Sequence, residues 1–170
     1  YYEVKVNEGM AEREINNKVT TQYGDVVKTS NEVKTSVSDG DLELKLISVD
    51  ADDGIVKSGY GYRYVLYVTN KSNKDIKNVK TTINTSNILN ISEIYYIDSE
   101  NHANMVENTN SIDIDKILSG ETIEVSIYTT VSIFNDETSK DVSITANSVV
   151  NDKKYTSNEI NLKARSNLLL

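Results

Sequence analysis

Apolar and polar residues alternate with a period of two along most of the chain, and no window has a convincing helical period. The first alternating stretch places Leu42, Leu44 and Leu46 between charged residues. The longest runs from Tyr60 to Val68, where every second residue is aromatic or aliphatic. Alternation of this kind indicates β-strands with one buried face. Val, Ile, Thr and Tyr are abundant, and these residue types favour strands.

Polar, turn-forming clusters separate the alternating stretches. They lie at residues 50–54, 71–75, 99–102, 119–121 and 151–154. Further strands are predicted at residues 79–83, 93–98, 103–107, 112–114, 123–133, 142–150 and 159–164. Short strands with turns every 8–12 residues or so are typical of an antiparallel β-sandwich. We therefore predict an all-β, immunoglobulin-like fold.

An internal repeat divides the chain. The segment TSNEV at residues 29–33 returns as TSNEI at residues 156–160, an offset of 127 positions. Upstream, NKV at residues 17–19 matches NSV at residues 147–149 with an offset of 130, and we assign the difference of three to a hairpin loop. The pattern predicts the closing strands of a preceding repeat at residues 1–38, a complete sandwich at 39–166 and a tail at 167–170.

Residues 1–38 raise a question of function. Two or three strands alone leave an apolar face and unpaired edges uncovered. One hypothesis is that they end a repeat whose other strands precede Tyr1, where an export signal would also lie. The other is that they are donated to the edge of a second subunit, which would give a filament or lattice. The sequence leaves both open.

Composition excludes several kinds of partner and site. There is no cysteine for a disulfide or a thiolate metal site, and His102 is the single histidine. The formal charge of −8 comes from 26 acidic and 18 basic residues, which disfavours nucleic acid and anionic membranes as partners. No apolar run approaches the length of a membrane span.

Four short patterns carry a family resemblance. They are YVLYVTN at residues 64–70, NVKT at 78–81, ILSGET at 117–122, and NSV at 147–149 followed by TSNEI at 156–160. In this order and spacing they resemble the bacterial surface repeats called domain of unknown function eleven. The chain departs from that family in having no proline. The resemblance implies an immunoglobulin-like sandwich, tandem repeats in exported surface proteins, usually of Gram-positive bacteria, and no catalytic residues.

Two acidic stretches are candidate calcium sites, because calcium takes carboxylate oxygens from turns. The first is Asp50, Asp52 and Asp53 before Gly54, which lacks the spacing of an EF-hand loop. The second is the run of Asp113 and Asp115 that precedes Glu121. The alternative for both is an acidic, solvated turn. Apart from calcium, we predict no cofactor.

Two further candidate sites are an isopeptide bond and an aromatic platform for sugar. A spontaneous isopeptide bond would join Lys45 to Asn147 or Asn158, but the alternation directs Lys45 towards solvent, whereas such a lysine must be buried. Tyr60 and Tyr62 could form an aromatic platform for sugar, and the alternative is that their stripe is the core face of a strand.

Three functions follow, and the first is favoured. It is a stalk or spacer repeat of an extracellular, adhesin-like surface protein, with neighbouring repeats as its partners. The second is a self-assembling subunit that pairs strands with identical subunits. The third is a carbohydrate- or matrix-binding module. The sequence has no Gly-rich phosphate loop and no recognisable nucleophile and base, so we predict that the chain is not an enzyme.

Overall fold

The computed structural model describes residues 14–36, 41–51, 54–135 and 139–166. The chain divides into two compact units, Tyr1–Asp41 and Leu42–Leu170. Within the described residues all regular secondary structure is β. No helix in that part of the chain is long and apolar enough to cross a membrane.

The first unit contains four short strands, β1 (Glu14–Asn17), β2 (Thr20–Tyr23), β3 (Val26–Thr29) and β4 (Val33–Ser36). Strands β2 and β3 form an antiparallel hairpin. Its loop is Gly24-Asp25, and Gly24 has a positive φ of 57°, a conformation that glycine adopts without steric cost. Strand β1 pairs antiparallel with β4.

The second unit is a sandwich of two sheets. Its strands are β5 (Leu42–Ser48), β6 (Ile55–Lys57), β7 (Gly61–Asn70), β8 (Ile76–Thr85), β9 (Leu89–Ile97), β10 (Ala103–Glu107), β11 (Ser111–Ile117), β12 (Thr122–Val131), β13 (Lys140–Val150), β14 (Lys153–Thr156) and β15 (Ile160–Arg165). One sheet has the order β10-β9-β12-β7-β5, and the other the order β11-β8-β13-β15-β6 with β14 paired to β13. All pairs are antiparallel except β6 with β15, which is parallel.

The core lies between the inner faces of these sheets. Leu42, Leu44 and Leu46 of β5 are buried, and the inward stripe of β7 includes the fully buried Tyr64 and Leu66. Burial of an aliphatic side chain contributes about 1.5–3 kcal/mol relative to exposure, so these alternating positions supply much of the stability. The prediction of an all-β, immunoglobulin-like sandwich is confirmed.

Most strands are longer than predicted, and three further differences concern strand ends and a short strand. The strand after the turn at residues 119–121 ends at Val131, and Ile133 beyond it is exposed. Lys153 and Lys154, predicted as part of a turn, begin β14 because the loop contains only Asn151 and Asp152, both with positive φ. The sequence pattern does not predict strand β6, since three residues are too few to show an alternation.

Candidate functional site

The candidate site is an amide side chain that joins the two sheets of the sandwich at one edge. Asn158 lies between β14 and β15, and Leu46 lies on β5, the edge strand of the opposite sheet. The Leu46 N–H donates to Asn158 Oδ1 at 2.9 Å, and Asn158 Nδ2 donates to the Leu46 carbonyl at 2.9 Å. An amide side chain carries an NH2 donor group and a carbonyl acceptor, so it satisfies both backbone groups in place of a neighbouring strand. We call this pair of bonds the strand clamp.

Ser157 positions the clamp. Its backbone N–H donates to the Ala146 carbonyl at 2.9 Å, and its hydroxyl accepts the Ala146 N–H at 2.9 Å. The same hydroxyl donates to the Asn158 carbonyl at 2.7 Å. The buried serine therefore fixes the backbone of Asn158 against β13 and directs its side chain towards β5.

The first unit repeats this local structure 127 positions earlier. The Ser30 N–H donates to the Val19 carbonyl at 2.7 Å, and the Val19 N–H donates to the Ser30 hydroxyl at 2.9 Å. The Ser30 hydroxyl then donates to the Asn31 carbonyl at 2.8 Å. Val19, Ser30 and Asn31 thus correspond to Ala146, Ser157 and Asn158.

The strand pairing corrects part of the predicted repeat. Thr20 pairs with Thr29 as Asn147 pairs with Thr156, so Thr20 is the equivalent of Asn147 and the match of Asn17 to Asn147 is wrong. Both hairpins have two-residue loops, and the predicted length difference of three residues does not exist. The offset stays at 127 throughout, and the shared letters at 130 are coincidental.

The two hairpins differ in what surrounds them. Ala146 and Val150 of the second unit are 0% and 6% exposed, whereas their equivalents Val19 and Tyr23 are 49% and 90% exposed. Asn31 makes no side-chain hydrogen bond with any part of the chain that the structure describes. The first hairpin therefore has the same local bonds but no strand in its clamp and no opposing sheet among the described residues.

Two of the patterns behind the family resemblance meet at the buried Asn70. Its Nδ2 donates to the carbonyls of Lys74, Ile117 and Leu118 at 2.8–3.0 Å. Its Oδ1 accepts the backbone N–H and the hydroxyl of Ser72. This side chain therefore holds the loop after β7 against the turn before β12, which is a structural rather than a catalytic role.

Two carboxylates of the acidic stretches are occupied by hydrogen bonds within the chain. The Asp50 carboxylate accepts a hydrogen bond from the backbone N–H of Arg63 at 2.8 Å. Asp52 and Asp53 lie outside the described residues. Glu121 accepts the Leu118 N–H at 2.7 Å and the Ser99 hydroxyl, which closes its own turn. In the described ranges no three His, Asp or Glu side chains are grouped as a metal site would need. Calcium binding at Asp50, Asp52 and Asp53 stays a prediction.

The candidate isopeptide residues are not arranged for that reaction. Lys45 is exposed, as its place in the alternation predicts. Asn158 is bound by the Leu46 backbone, and Asn147 Oδ1 accepts the Thr156 hydroxyl at 2.9 Å.

The tyrosine stripe runs from solvent into the core. Tyr60 is half exposed and Tyr64 is fully buried. Between them, the Tyr62 hydroxyl accepts a hydrogen bond from the backbone N–H of Lys57 at 2.7 Å. Burial raises the pKa of Tyr64 to about 12, with smaller contributions from Tyr62 and Asp50. Tyr64 therefore belongs to the core face, Tyr62 packs partly against the core, and Tyr60 stays half exposed; sugar binding at Tyr60 and Tyr62 stays a prediction.

His102 lies in the predicted hairpin turn between β9 and β10 and is largely exposed. Its Nδ1 is 3.4 Å from the Asp98 carboxylate. A hydrogen bond from the His102 backbone N–H is the largest of the contributions that lower the pKa of Asp98. These contacts stabilise the turn.

Comparison with known proteins gives a fold but no family. No family model and no curated protein matches the chain. Among solved structures, the C-terminal domain of the AgI/II polypeptide BspA of Streptococcus agalactiae is similar at 14% identity and a TM-score of 0.51, over 95% of this chain and 61% of that one. The major pilin subunit BcpA of Bacillus cereus is similar at 11% identity and a TM-score of 0.53, over 89% of this chain and 48% of that one.

A third similar structure is the alpha-2-macroglobulin of Salmonella, with 12% identity and a TM-score of 0.52, over 90% of this chain and 8% of that one. The chain thus spans less than two thirds of each of these three proteins. At such identities the likeness establishes the shared sandwich fold alone.

Proposed function

We propose that this chain is a non-enzymatic structural segment of an extracellular bacterial surface protein, in which sandwich repeats follow one another as a stalk or spacer. The main support is the second hairpin: the bonds around Ser30 recur around Ser157 at a constant offset of 127 positions. A repeat of this length equals one sandwich with its linker. Tandem copies of one rigid domain make an extended surface protein without further chemistry.

Two further observations agree with this proposal. The resemblance to domain of unknown function eleven implies tandem repeats on bacterial surfaces, and two similar structures come from a pilin subunit and an AgI/II polypeptide. The net charge of −8 keeps an exposed polymer soluble and self-repelling. Among the described residues, hydrogen-bonded side chains hold turns and a strand edge in place.

Labelling of intact cells tests the location. An antibody raised against residues 41–166 is applied to the cells that make the protein, before and after lysis. We expect labelling of intact cells that external protease removes. Labelling that requires lysis would contradict an extracellular role.

The exposed face of the first hairpin also favours a second function, assembly by strand donation between subunits. In that case Val19 and Tyr23 would be covered by a second copy of the chain. Light scattering after size-exclusion chromatography separates the two functions. Assembly predicts oligomers that grow with concentration and disappear in a Tyr23→Ser variant, whereas the spacer predicts a monomer throughout.

A further inference from the structure

We infer that residues 17–33 are a strand-binding site in which Asn31 clamps the backbone of an extended strand, supplied by the preceding repeat of the same polypeptide. This inference rests on the proposed tandem arrangement and adds the site and the chemistry of its occupant. The occupant is a strand of the kind of β5, with apolar side chains at alternate positions.

The hydrogen bonds around Asn31 match those around Asn158, whose side chain forms the strand clamp with Leu46. Ser157 sets the backbone of Asn158 through three hydrogen bonds, and Ser30 makes the same three around Asn31. Asn158 uses its amide to bind Leu46. The Asn31 amide has the same donor and acceptor, and neither is used by the part of the chain that the structure describes.

The exposed side chains of the hairpin indicate what the incoming strand carries. Val19 and Tyr23 correspond to Ala146 and Val150, which face the sandwich core. Val26 lies opposite Tyr23 in the ladder, on the same face, and is 57% exposed. A strand held by Asn31 that also covers this face must present apolar residues at alternate positions, as Leu42, Leu44 and Leu46 do in β5.

A second copy of this chain is a poor source of that strand. Its β5 is already hydrogen-bonded to β7 on one side and to Asn158 on the other. Donation of β5 would remove three buried leucines from its own core. A tandem repeat contains an equivalent first strand about one offset earlier in the polypeptide, and this is the occupant that we assign.

A tethered strand tests the site on the full chain. The sequence of residues 41–49 is added ahead of Tyr1 through a linker of about 20 Gly and Ser residues, which spans about 25 Å and gives a millimolar effective concentration. Hydrogen exchange and the side-chain amide resonances of Asn31 are then measured by NMR. We expect exchange of the hairpin amides in residues 19–30 to slow about tenfold, and the Asn31 side-chain resonances to shift.

Two matched variants show whether the recognition is specific. One carries serine in place of the three leucines of the tether, and the other is Asn31→Ala with the intact tether. We expect both to return to the exchange rates of the untethered chain. Unchanged exchange with the intact tether would overturn the inference, and so would protection that persists in Asn31→Ala.

The untethered chain provides the last comparison. Protection of residues 19–30 that grows with its concentration would assign the occupant to a second copy and overturn the tandem source. Labelling of intact cells is independent of all these outcomes. If the tethered strand gives no protection while intact cells are still labelled, the strand-binding site is refuted and the proposed surface location is not.

Discussion

The side chain of Asn158 binds both backbone polar groups of Leu46, a residue 112 positions earlier in the chain. The bond pair closes the sandwich where β5 ends its sheet and would otherwise expose an unpaired edge. One amide thus connects the first and last parts of the domain.

Removal of this amide should weaken the sandwich. We expect Asn158→Ala to lower the free energy of unfolding by about 1 to 2 kcal/mol, because two hydrogen bonds are lost and the Leu46 backbone groups are left without partners. Urea denaturation followed by tyrosine fluorescence measures the change, and the Leu46 amide should exchange faster. The matched control is Asn31→Ala, which should change stability by less than about 0.5 kcal/mol. Equal losses in both variants would refute the clamp.

Asn70 should be the least replaceable asparagine of the sandwich. We expect Asn70→Asp to cost about 3 kcal/mol or more at neutral pH, because the introduced carboxylate would face three carbonyl oxygens that now receive hydrogen bonds. The exposed Asn84→Asp is the control and should stay within about 0.5 kcal/mol of the parent.

The penalty at Asn70 should depend on pH. Its surroundings favour the neutral acid, so the pKa of the introduced carboxyl is raised in the folded state. The unfolded chain then loses its proton first as the pH rises, and stability falls above the unfolded pKa. Urea denaturation between pH 3 and pH 7 measures this. A penalty that grew at acidic pH would contradict the assigned bonding.

Tyr64 should limit stability in alkali. Its hydroxyl is buried without a hydrogen-bond partner among the described residues, and its pKa is raised from 10.0 to about 12. Between these values the unfolded chain releases the proton while the folded chain keeps it, so stability falls as the pH rises above 10. Tyr64→Phe should flatten this decline and raise stability at pH 7 by up to about 1 kcal/mol. Tyr60→Phe, at a half-exposed ring, should leave the decline unchanged.

The chain should contain no isopeptide bond. Lys45 is exposed, whereas the reaction needs a buried lysine, and the amide of Asn158 is already hydrogen-bonded to the Leu46 backbone. Mass spectrometry of the intact protein should give the full mass of the sequence. A mass lower by one ammonia, restored by Lys45→Arg, would show that the bond forms.

The sequence predicts the sandwich because burial follows alternation directly. Leu42, Leu44 and Leu46 show the inner face of β5, and Tyr64 and Leu66 show that of β7. Such patterns involve positions only two residues apart, so the sequence itself contains them.

The sites were harder to predict because their partners are distant in sequence or are backbone atoms. The sequence marks residues 156–160 as repeated, yet nothing in this segment identifies Leu46 as the partner of Asn158. Asn70 donates to carbonyl groups, and every residue has one. The false match of Asn17 arose because identical letters carry no information on strand register, which hydrogen bonds alone define.

The parallel pairing of β6 with β15 has a mechanical consequence. The ladder joins residues 55–57 to residues 163–165, and further bonds run from Lys163 to Gly54 and from Ser58 to Arg165. Once β5 has been pulled away from β7, tension on β6 from its start and on β15 from its end draws the two parallel strands in opposite directions. All the bonds of the ladder are then sheared together, whereas a hairpin pulled at its open end loses them one after another. We expect this geometry to make the domain resist stretching more strongly than its equilibrium stability alone would suggest.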